Sequence, residues 1–331
     1  MKQTMMKAAI LEQFKAPLRV GETLRPIPGN NEVLVRIKAS GVNPLDLKTR
    51  EGVAPHTRTA PPAILGMDMA GIVEEVGTDV TGFEPGDSVY GLTGGVGGIQ
   101  GSLAEYAAVD ADLLAKMPNG MSMREAAALP LISITAWEAL VDQANVRPGL
   151  NVLIHGGAGG VGHIGIQLAK TRGANVFATG SKASQDVIKK LGATPIDYTD
   201  ASVGSYVQAY TDGEGFDIVM DNVGGTTLDA SFNAVKRYSG HVVSILGWGT
   251  HSLAPLSFRA GTYSGVFTLM PMLTGKGRSR HGEILREIAN LYEQGVLKPI
   301  LNERTFRLNQ IEEAHRAMGD KQIGKIVVSI D

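Results

Sequence analysis

The stretch NVLIHGGAGGVGHIGIQLAK (residues 151–170) passes from an apolar run through six glycines into an amphipathic run. Gly157, Gly159 and Gly162 satisfy G-x-G-x-x-G, with Gly160 and Val161 inside the motif. Alone such a match says little; here it follows a predicted strand and opens a predicted helix, the context a dinucleotide-binding turn requires. The spacing has a chemical reason. The first two glycines let the backbone turn tightly and approach a pyrophosphate, whose charge then lies at a helix N-terminus with unbonded N–H groups. No Gly-Lys-Ser or Gly-Lys-Thr closes the motif, so a Walker phosphate loop is disfavoured.

Downstream, predicted strands and helices alternate: strand ANVFATG, helix SQDVIKKLG, strand FDIVMDNV, helix TLDASFNAVKR, strand HVVSILG. That alternation predicts an α/β domain with a doubly wound parallel sheet, helices covering both faces. Upstream, short strand-like runs (MKAAILEQF, NEVLVRIKASGV, MDMAGIVEEVG, GDSVYGL) separated by Gly, Pro, Asn and Asp turns suggest a small barrel. From Ser122, an N-cap candidate with Glu125 three residues later, SMREAAALPLISITAWEALVDQA reads as one long helical pattern. The tail adds a helix at GEILREIANLYEQG and a last strand at GKIVVSID. The expected organisation is a β-rich domain at 1–124, a dinucleotide domain at 125–265 and a return to the first domain at 266–331.

Composition supports two domains sharing one cleft, since 331 residues exceed the roughly 100–200 of a single domain. A net charge of −2 with scattered Lys and Arg gives no footprint for nucleic acid or anionic lipid. The apolar runs are too short to cross a bilayer, and the N-terminal stretch is interrupted by Glu12 without a cleavage-site pattern, so a cytoplasmic location is expected. Cysteine is absent, which excludes disulfides, thiolate zinc sites and a cysteine nucleophile.

Cofactor preference is set about 20 residues past the glycine motif, where an acid would hold the ribose 2′-hydroxyl of NAD. Gly180 stands there, followed by Ser181 and Lys182, a hydroxyl and a cation suited to a 2′-phosphate. NADP(H) is expected over NAD(H), with a solvated loop before a helix as the other reading. On the first reading, Gly180→Asp moves preference toward NADH.

Nearly end to end, the chain resembles the medium-chain dehydrogenase/reductase family, more narrowly its zinc-free quinone oxidoreductase branch. The residues that carry this are SGVNPLD (40–46), LGMDMAGIVEEVG (65–77), FEPGDSVYGL (83–92), GSLAEYAAV (101–109), ITAWEAL (134–140), the glycine loop, LGATPIDY (191–198), FDIVMDNVGG (216–225) and GKIVV (324–328). The resemblance implies a Rossmann domain, a GroES-like β-rich catalytic domain, and a homodimer. It also implies cofactor contacts at Thr135, Tyr198, Asn222, Val223, Leu246, Gly247, Phe267 and Leu269; each apolar position among them is equally readable as core.

Where zinc-dependent relatives have a Cys, a His and a further Cys, this chain has Asn43, Met67 and, near the third position, Leu131. Asp46 and Asp68 remain, but two carboxylates without imidazole or thiolate make a poor zinc site, and no metal is expected. Without a Lewis acid an isolated carbonyl is hard to reduce, whereas a quinone or an α,β-unsaturated carbonyl spreads the incoming charge through its π system. The expected activity is therefore NADPH-dependent hydride transfer to a small-molecule quinone or enone. The alternatives are an alcohol dehydrogenase-like enzyme and a non-catalytic NADPH-binding sensor or structural protein.

Candidate catalytic residues are Asn43 and Asp46. By resemblance Asn43 lies at the cleft facing the nicotinamide, its amide donating to an enolate or reduced quinone oxygen; the other reading is an Asx-type turn before Pro44. Asp46 braces the same turn. Lys48 and Arg50 are candidate substrate contacts, or simply solvated charges. Similar proteins place a proton-donating Tyr shortly after, but here the sequence is REGVAPHTRT, with His56 the nearby titratable ring and a surface loop its plainer reading. Trp248 and His251, just past a predicted strand, suit a pocket for flat rings, with packing as the alternative. The glycine-rich LTGGVGGIQG (92–101) reads as a connecting loop or a flap.

Overall fold

The computed structural model describes residues 4–320 and 323–331. The chain divides into two compact units, one of Met1–Leu131 with Leu269–Asp331 and one of Ile132–Thr268.

The first unit begins with β1 (Met5–Leu11), β2 (Arg19–Leu24), β3 (Glu32–Gly41), β4 (Ala63–Ile64), β5 (Asp68–Val76), β6 (Ser88–Leu92), β7 (Tyr106–Asp110) and β8 (Leu114–Lys116). The second unit holds β9 (Asn151–Ile154), β10 (Asn175–Gly180), β11 (Thr194–Asp197), β12 (Ile218–Asp221), β13 (His241–Ser244) and β14 (Thr262–Gly265). β15 (Phe306–Arg307) and β16 (Val327–Ser329) return to the first.

In the first unit, β2-β1-β4 form a three-stranded antiparallel sheet and β15-β16-β3-β5-β6-β8 a larger one, with β7 also on β3. The long β3 makes this possible. Its first half, Glu32–Arg36, pairs with β7, and its last residues, Ala39–Gly41, pair with β16, while β5 covers its other edge. The core beneath includes Leu11, Val42, Leu65, Leu103, Ile311 and Val328. The buried Tyr90 hydroxyl donates to the Leu285 carbonyl at 2.6 Å, fastening β6 to the helix Arg278–Glu293.

The second unit is a parallel sheet in the order β11-β10-β9-β12-β13-β14, the order of a doubly wound fold with its reversal between β9 and β12. The central strands read VLI, IVM and VV because both faces are covered. Pro195 is tolerated because β11 is an edge strand. The helix Gly160–Thr171 buries Ile164, Ile166 and Leu168, and at Gly165 an added Cβ would lie 3.3 Å from the Met220 sulfur.

Two expectations change. The single helix from Ser122 is three pieces: Met123–Ala128, capped by Ser122 and Glu125, then Pro130–Trp137, then a π-helical turn at Glu138–Gln143. Pro130 lacks an N–H and breaks the first from the second. The first piece is alanine-rich and packs on β3 and β5, so the unit boundary falls after Leu131 rather than at 124/125. The second boundary falls after Thr268 rather than at 265/266.

Candidate functional site

At the carboxyl edge of the second unit's sheet, β9 ends at Ile154 and the helix starts at Gly160 with Gly159 as N-cap. The glycines between divide the work. The left-handed turn is made at Gly156, φ +70°, one residue before the motif. A Cβ at Gly157 would lie 2.6 Å from that of Ala178, and one at Gly162 would overlap the Gly156 carbonyl oxygen, so both are closed by packing. Gly159 is different: its added Cβ would meet only the Gly156 oxygen, at 3.1 Å, and the residue is exposed. The first-turn N–H groups of Gly160, Val161 and Gly162 have no intrahelical acceptor, which leaves an anion cradle open beside Gly159.

Two buried polar atoms at the same edge have no hydrogen-bond partner among the described residues, His155 Nε2 and Asn222 Oδ1. His155 and Asn222 close the ends of β9 and β12, where the strand order reverses, and the Asn222 amide donates to the His155 carbonyl at 2.9 Å. Burial holds the His155 ring down at about 4, so it is neutral near pH 7. These unmet groups and the open cradle fit a dinucleotide.

At the ends of β10 and β11, Gly180 and Asp197 are register partners. Ser181 caps a short 3-10 turn, Lys182 is exposed, and Tyr198 is 60% exposed with its N–H on the Gly180 carbonyl. The structure corrects the expected effect of Gly180→Asp. A Cβ at Gly180 points into the protein, against Ser184 Oγ and 2.6 Å from Ile188 Cδ1. That variant is expected to lose about 1–3 kcal/mol of stability through overpacking, with no switch of cofactor preference, as a melting curve and paired NADPH and NADH titrations would show.

Past β12 and β13, Val223 is 50% exposed, and Leu246 and Gly247 lead into the loop carrying Trp248 and His251. The Trp248 indole stands edge-on to Phe267, with ring centroids 6.3 Å apart. Thr135, 6% exposed, meets the hydroxyl of Thr268 at 3.1 Å, and Thr268 donates to the Glu138 carboxylate at 2.6 Å. Leu269, buried, belongs to the first unit.

In the first unit a second cluster forms where β3, β5 and the segment before β16 meet. Asn43, Asp46, Asp68 and Lys325 are each under 5% exposed. Asp46 Oδ2 accepts from the Asn43 backbone N–H at 2.8 Å, half of a capping box for the helix Pro44–Arg50. The Asn43 amide donates to Asp68 Oδ2 at 2.8 Å and its oxygen accepts from Lys325 Nζ, which also bonds the Val42 carbonyl at 3.1 Å and Asp68 at 3.4 Å. Asp68 Oδ1 accepts from the Leu131 N–H at 2.7 Å. The amide oxygen and one amide hydrogen of Asn43 are thus spent inside the protein.

Sequence reading missed Lys325 and Asp68 as a pair. The signal was a lysine in the otherwise apolar run leading into the last strand. Met67 is buried and Leu131 contributes its backbone N–H to Asp68. An ammonium bonded to both Asn43 and Asp68, beside a thioether and an alkyl side chain, is a donor set that does not fit a zinc ion.

Arg50 is not solvated: it bonds the Ala16 carbonyl at 3.1 Å and pairs with Glu312 at 2.9 Å, pinning helix Pro44–Arg50 to helix Ile311–Gly319. Lys48 is exposed, and burial, aided by the Lys48 charge, lowers the His56 ring below its ordinary value. The 92–101 loop is tied down, with Gly97 N–H on the Thr57 carbonyl and Gly101 N–H on that of Ile64.

Burial pushes Asp46 up to about 7, with the nearby Asp68 charge adding to the effect. A folded-state value above the unfolded one means stability is full below about pH 4 and is lost as pH rises through 7. This carboxyl's share is on the order of 4 kcal/mol over that window. Unfolding measured at pH 5 and pH 8 should show the fall, and Asp46→Asn should flatten it.

Residues 29–119 match the alcohol dehydrogenase GroES-like domain family and residues 191–328 the zinc-binding dehydrogenase family. The chain is 35% identical over 300 residues to the spectinabilin polyketide synthase system protein NorB of Streptomyces orinoci, covering 90% of this chain but only 13% of that one. It is 32% identical to the mouse mitochondrial NAD(P)H oxidoreductase RTN4IP1, covering 91% of this chain and 82% of the relative. Among solved structures, an alcohol dehydrogenase superfamily protein from Novosphingobium aromaticivorans superposes with a TM-score of 0.97 at 52% identity, covering 98% of this chain and all of that one. The quinone oxidoreductase of Coxiella burnetii does so at 0.83 and 30%, covering 99% and 100%. With a GroES-like unit and a Rossmann unit in one chain, the protein belongs to the medium-chain dehydrogenase/reductase family.

Proposed function

We propose that the chain is an NADPH-dependent, zinc-independent oxidoreductase that reduces quinones or α,β-unsaturated carbonyls. The observation that carries this reading is the Lys325 ammonium bonded to Asn43 and Asp68 where zinc-dependent relatives keep metal ligands. With no Lewis acid to stabilise an alkoxide, an acceptor that delocalises its own charge is favoured. A relative named as a quinone oxidoreductase supports the same class.

When bound, the cofactor supplies the hydride. The chain's own residues do the rest. The cradle at Gly159–Gly162 takes the pyrophosphate, and Ser181 and Lys182 take a 2′-phosphate, with glycine at position 180 where NAD-selective sites carry an acid. Thr135, held by Thr268 and Glu138, together with Asn222, orients the nicotinamide half. Trp248 and Phe267 offer flat apolar faces to the acceptor.

Oxidation of NADPH and NADH should be followed with a range of quinones and enals, with and without chelator. Chelator-resistant turnover favouring NADPH, with Lys182→Ala weakening NADPH more than NADH, supports the reading. Turnover that chelator abolishes and zinc restores points to the alcohol dehydrogenase alternative, and tight NADPH binding without turnover points to a sensor.

The homodimer belongs to the same proposal. β14 is an edge strand with one side unpaired among the described strands, and Leu253, Phe258 and Tyr263 nearby are 56%, 86% and 38% exposed. Sedimentation of the purified chain is expected to give twice the monomer mass.

A further inference from the structure

The loop after β13 carries His251 in an arrangement that fixes its protonation. Nδ1 lies 2.8 Å from Asp229 Oδ1, on the helix Thr226–Ala234, and Nε2 lies 3.1 Å from the Trp248 carbonyl oxygen. A carboxylate and a carbonyl both only accept. A neutral imidazole has one donor and one acceptor, so it satisfies one of these partners and turns a lone pair on the other. Only the doubly protonated ring donates to both.

We infer that His251 is a positioning residue whose imidazolium form ties the Trp248 backbone to the helix Thr226–Ala234 and so sets the indole at the edge of the candidate site. The inference rests on the reading of Trp248 as a wall of the acceptor pocket. Trp248 is 52% exposed and touches Phe267 edge-on, so its placement depends on the backbone of its loop. Gly249, with φ +100°, gives that loop a left-handed turn.

The groups that face the ring agree with its charge. The Asp229 hydrogen bond raises the His251 value above the ordinary one, the Trp248 carbonyl adds to it, and Asp221 at the end of β12 acts in the same direction. Tyr263, on β14, has its hydroxyl over Gly247, and burial and Asp221 raise it, so it stays neutral throughout the range concerned. When the ring loses a proton, the charge-assisted bond to Asp229 is the stronger and keeps Nδ1–H. Nε2 then presents a lone pair to the Trp248 carbonyl, and that tether is lost.

The test uses the 331-residue chain without substrate. The histidine ring protons are followed by NMR from pH 5 to 9, with His251→Gln to assign the resonance. Labelling with 5-fluorotryptophan gives one fluorine line for each of the two tryptophans, and Trp248→Phe assigns the second. His251 should titrate above the ordinary imidazole value of about 6.5, the Trp248 line should shift with the same midpoint, and Asp229→Asn should lower that midpoint. A His251 midpoint at or below 6.5, or a Trp248 line that ignores it, overturns the inference. With an active acceptor, KM should rise roughly fivefold through that midpoint, and His251→Gln should remove the step. A fluorine shift without a KM step would leave the tether in place and overturn its role at an acceptor wall.

Discussion

Lys325→Met is expected to destabilise the protein by about 3–5 kcal/mol near pH 8, the usual cost of removing one partner of a buried ion pair. Asp68 is fully buried and Lys325 is 4% exposed, so water cannot replace the lost ammonium. The variant also leaves the Asn43 oxygen and the Val42 carbonyl without this donor. The cost should depend on pH in a stated direction. Desolvation already raises Asp68 above its ordinary value despite the opposing pull of Lys325, and without Lys325 it rises further. A carboxyl with a raised folded-state value is most favourable when protonated, so Lys325→Met should cost less at pH 5 than at pH 8. Urea unfolding at both values checks this, and adding Asp68→Asn should recover part of the loss as a positive coupling. A cost under about 1 kcal/mol at pH 8 would mean that Lys325 does not hold the cluster together.

The same cluster shows why the first unit was harder to read than the second. Each member sits in a different part of the chain: Asn43 and Asp46 in a turn, Asp68 at the start of β5, Lys325 just before β16. No periodicity links position 43 to position 325; the register of β16 on β3 does. Asn43 was legible as part of its turn, but not the partners of its amide, which lie 25 and 282 residues away along the chain. Arg50 was misread for a similar reason, since its partners Ala16 and Glu312 lie far away along the chain.

The second unit was legible where strands are buried on both faces and helices carry an apolar stripe, as at β9, β12, β13 and Gly160–Thr171. Its edges were not. β11 is TPID and β14 is TYSG, short strands with exposed positions, and a proline or a glycine in each argued against them. The helix Val203–Thr211 was also passed over. The glycine motif was found, yet its spacing did not tell which glycine does what. That assignment needs the neighbours of each Cα.

Those neighbours give the second large expected effect. Gly162→Ala places a methyl inside the Gly156 carbonyl oxygen, with the Gly156 carbon at 2.9 Å and the Gly157 Cα at 3.0 Å. All three are backbone atoms, so the helix start or the turn must move. Overpacking of that kind costs about 1–3 kcal/mol, and the displaced cradle should weaken NADPH binding by roughly ten- to a hundredfold. Gly159→Ala has no such conflict within the fold, its one near neighbour being 3.1 Å away. Its methyl instead enters the space beside the open N–H groups. If the cradle holds a pyrophosphate, Gly159→Ala should lower NADPH affinity about as much while its melting temperature stays within about a degree or two of the parent, because its methyl disturbs no core packing. Calorimetric titration with NADPH alongside thermal melts separates the two. Equal losses of stability in both variants would make the glycines a packing device, and unchanged affinity in Gly159→Ala would remove the cradle from cofactor binding.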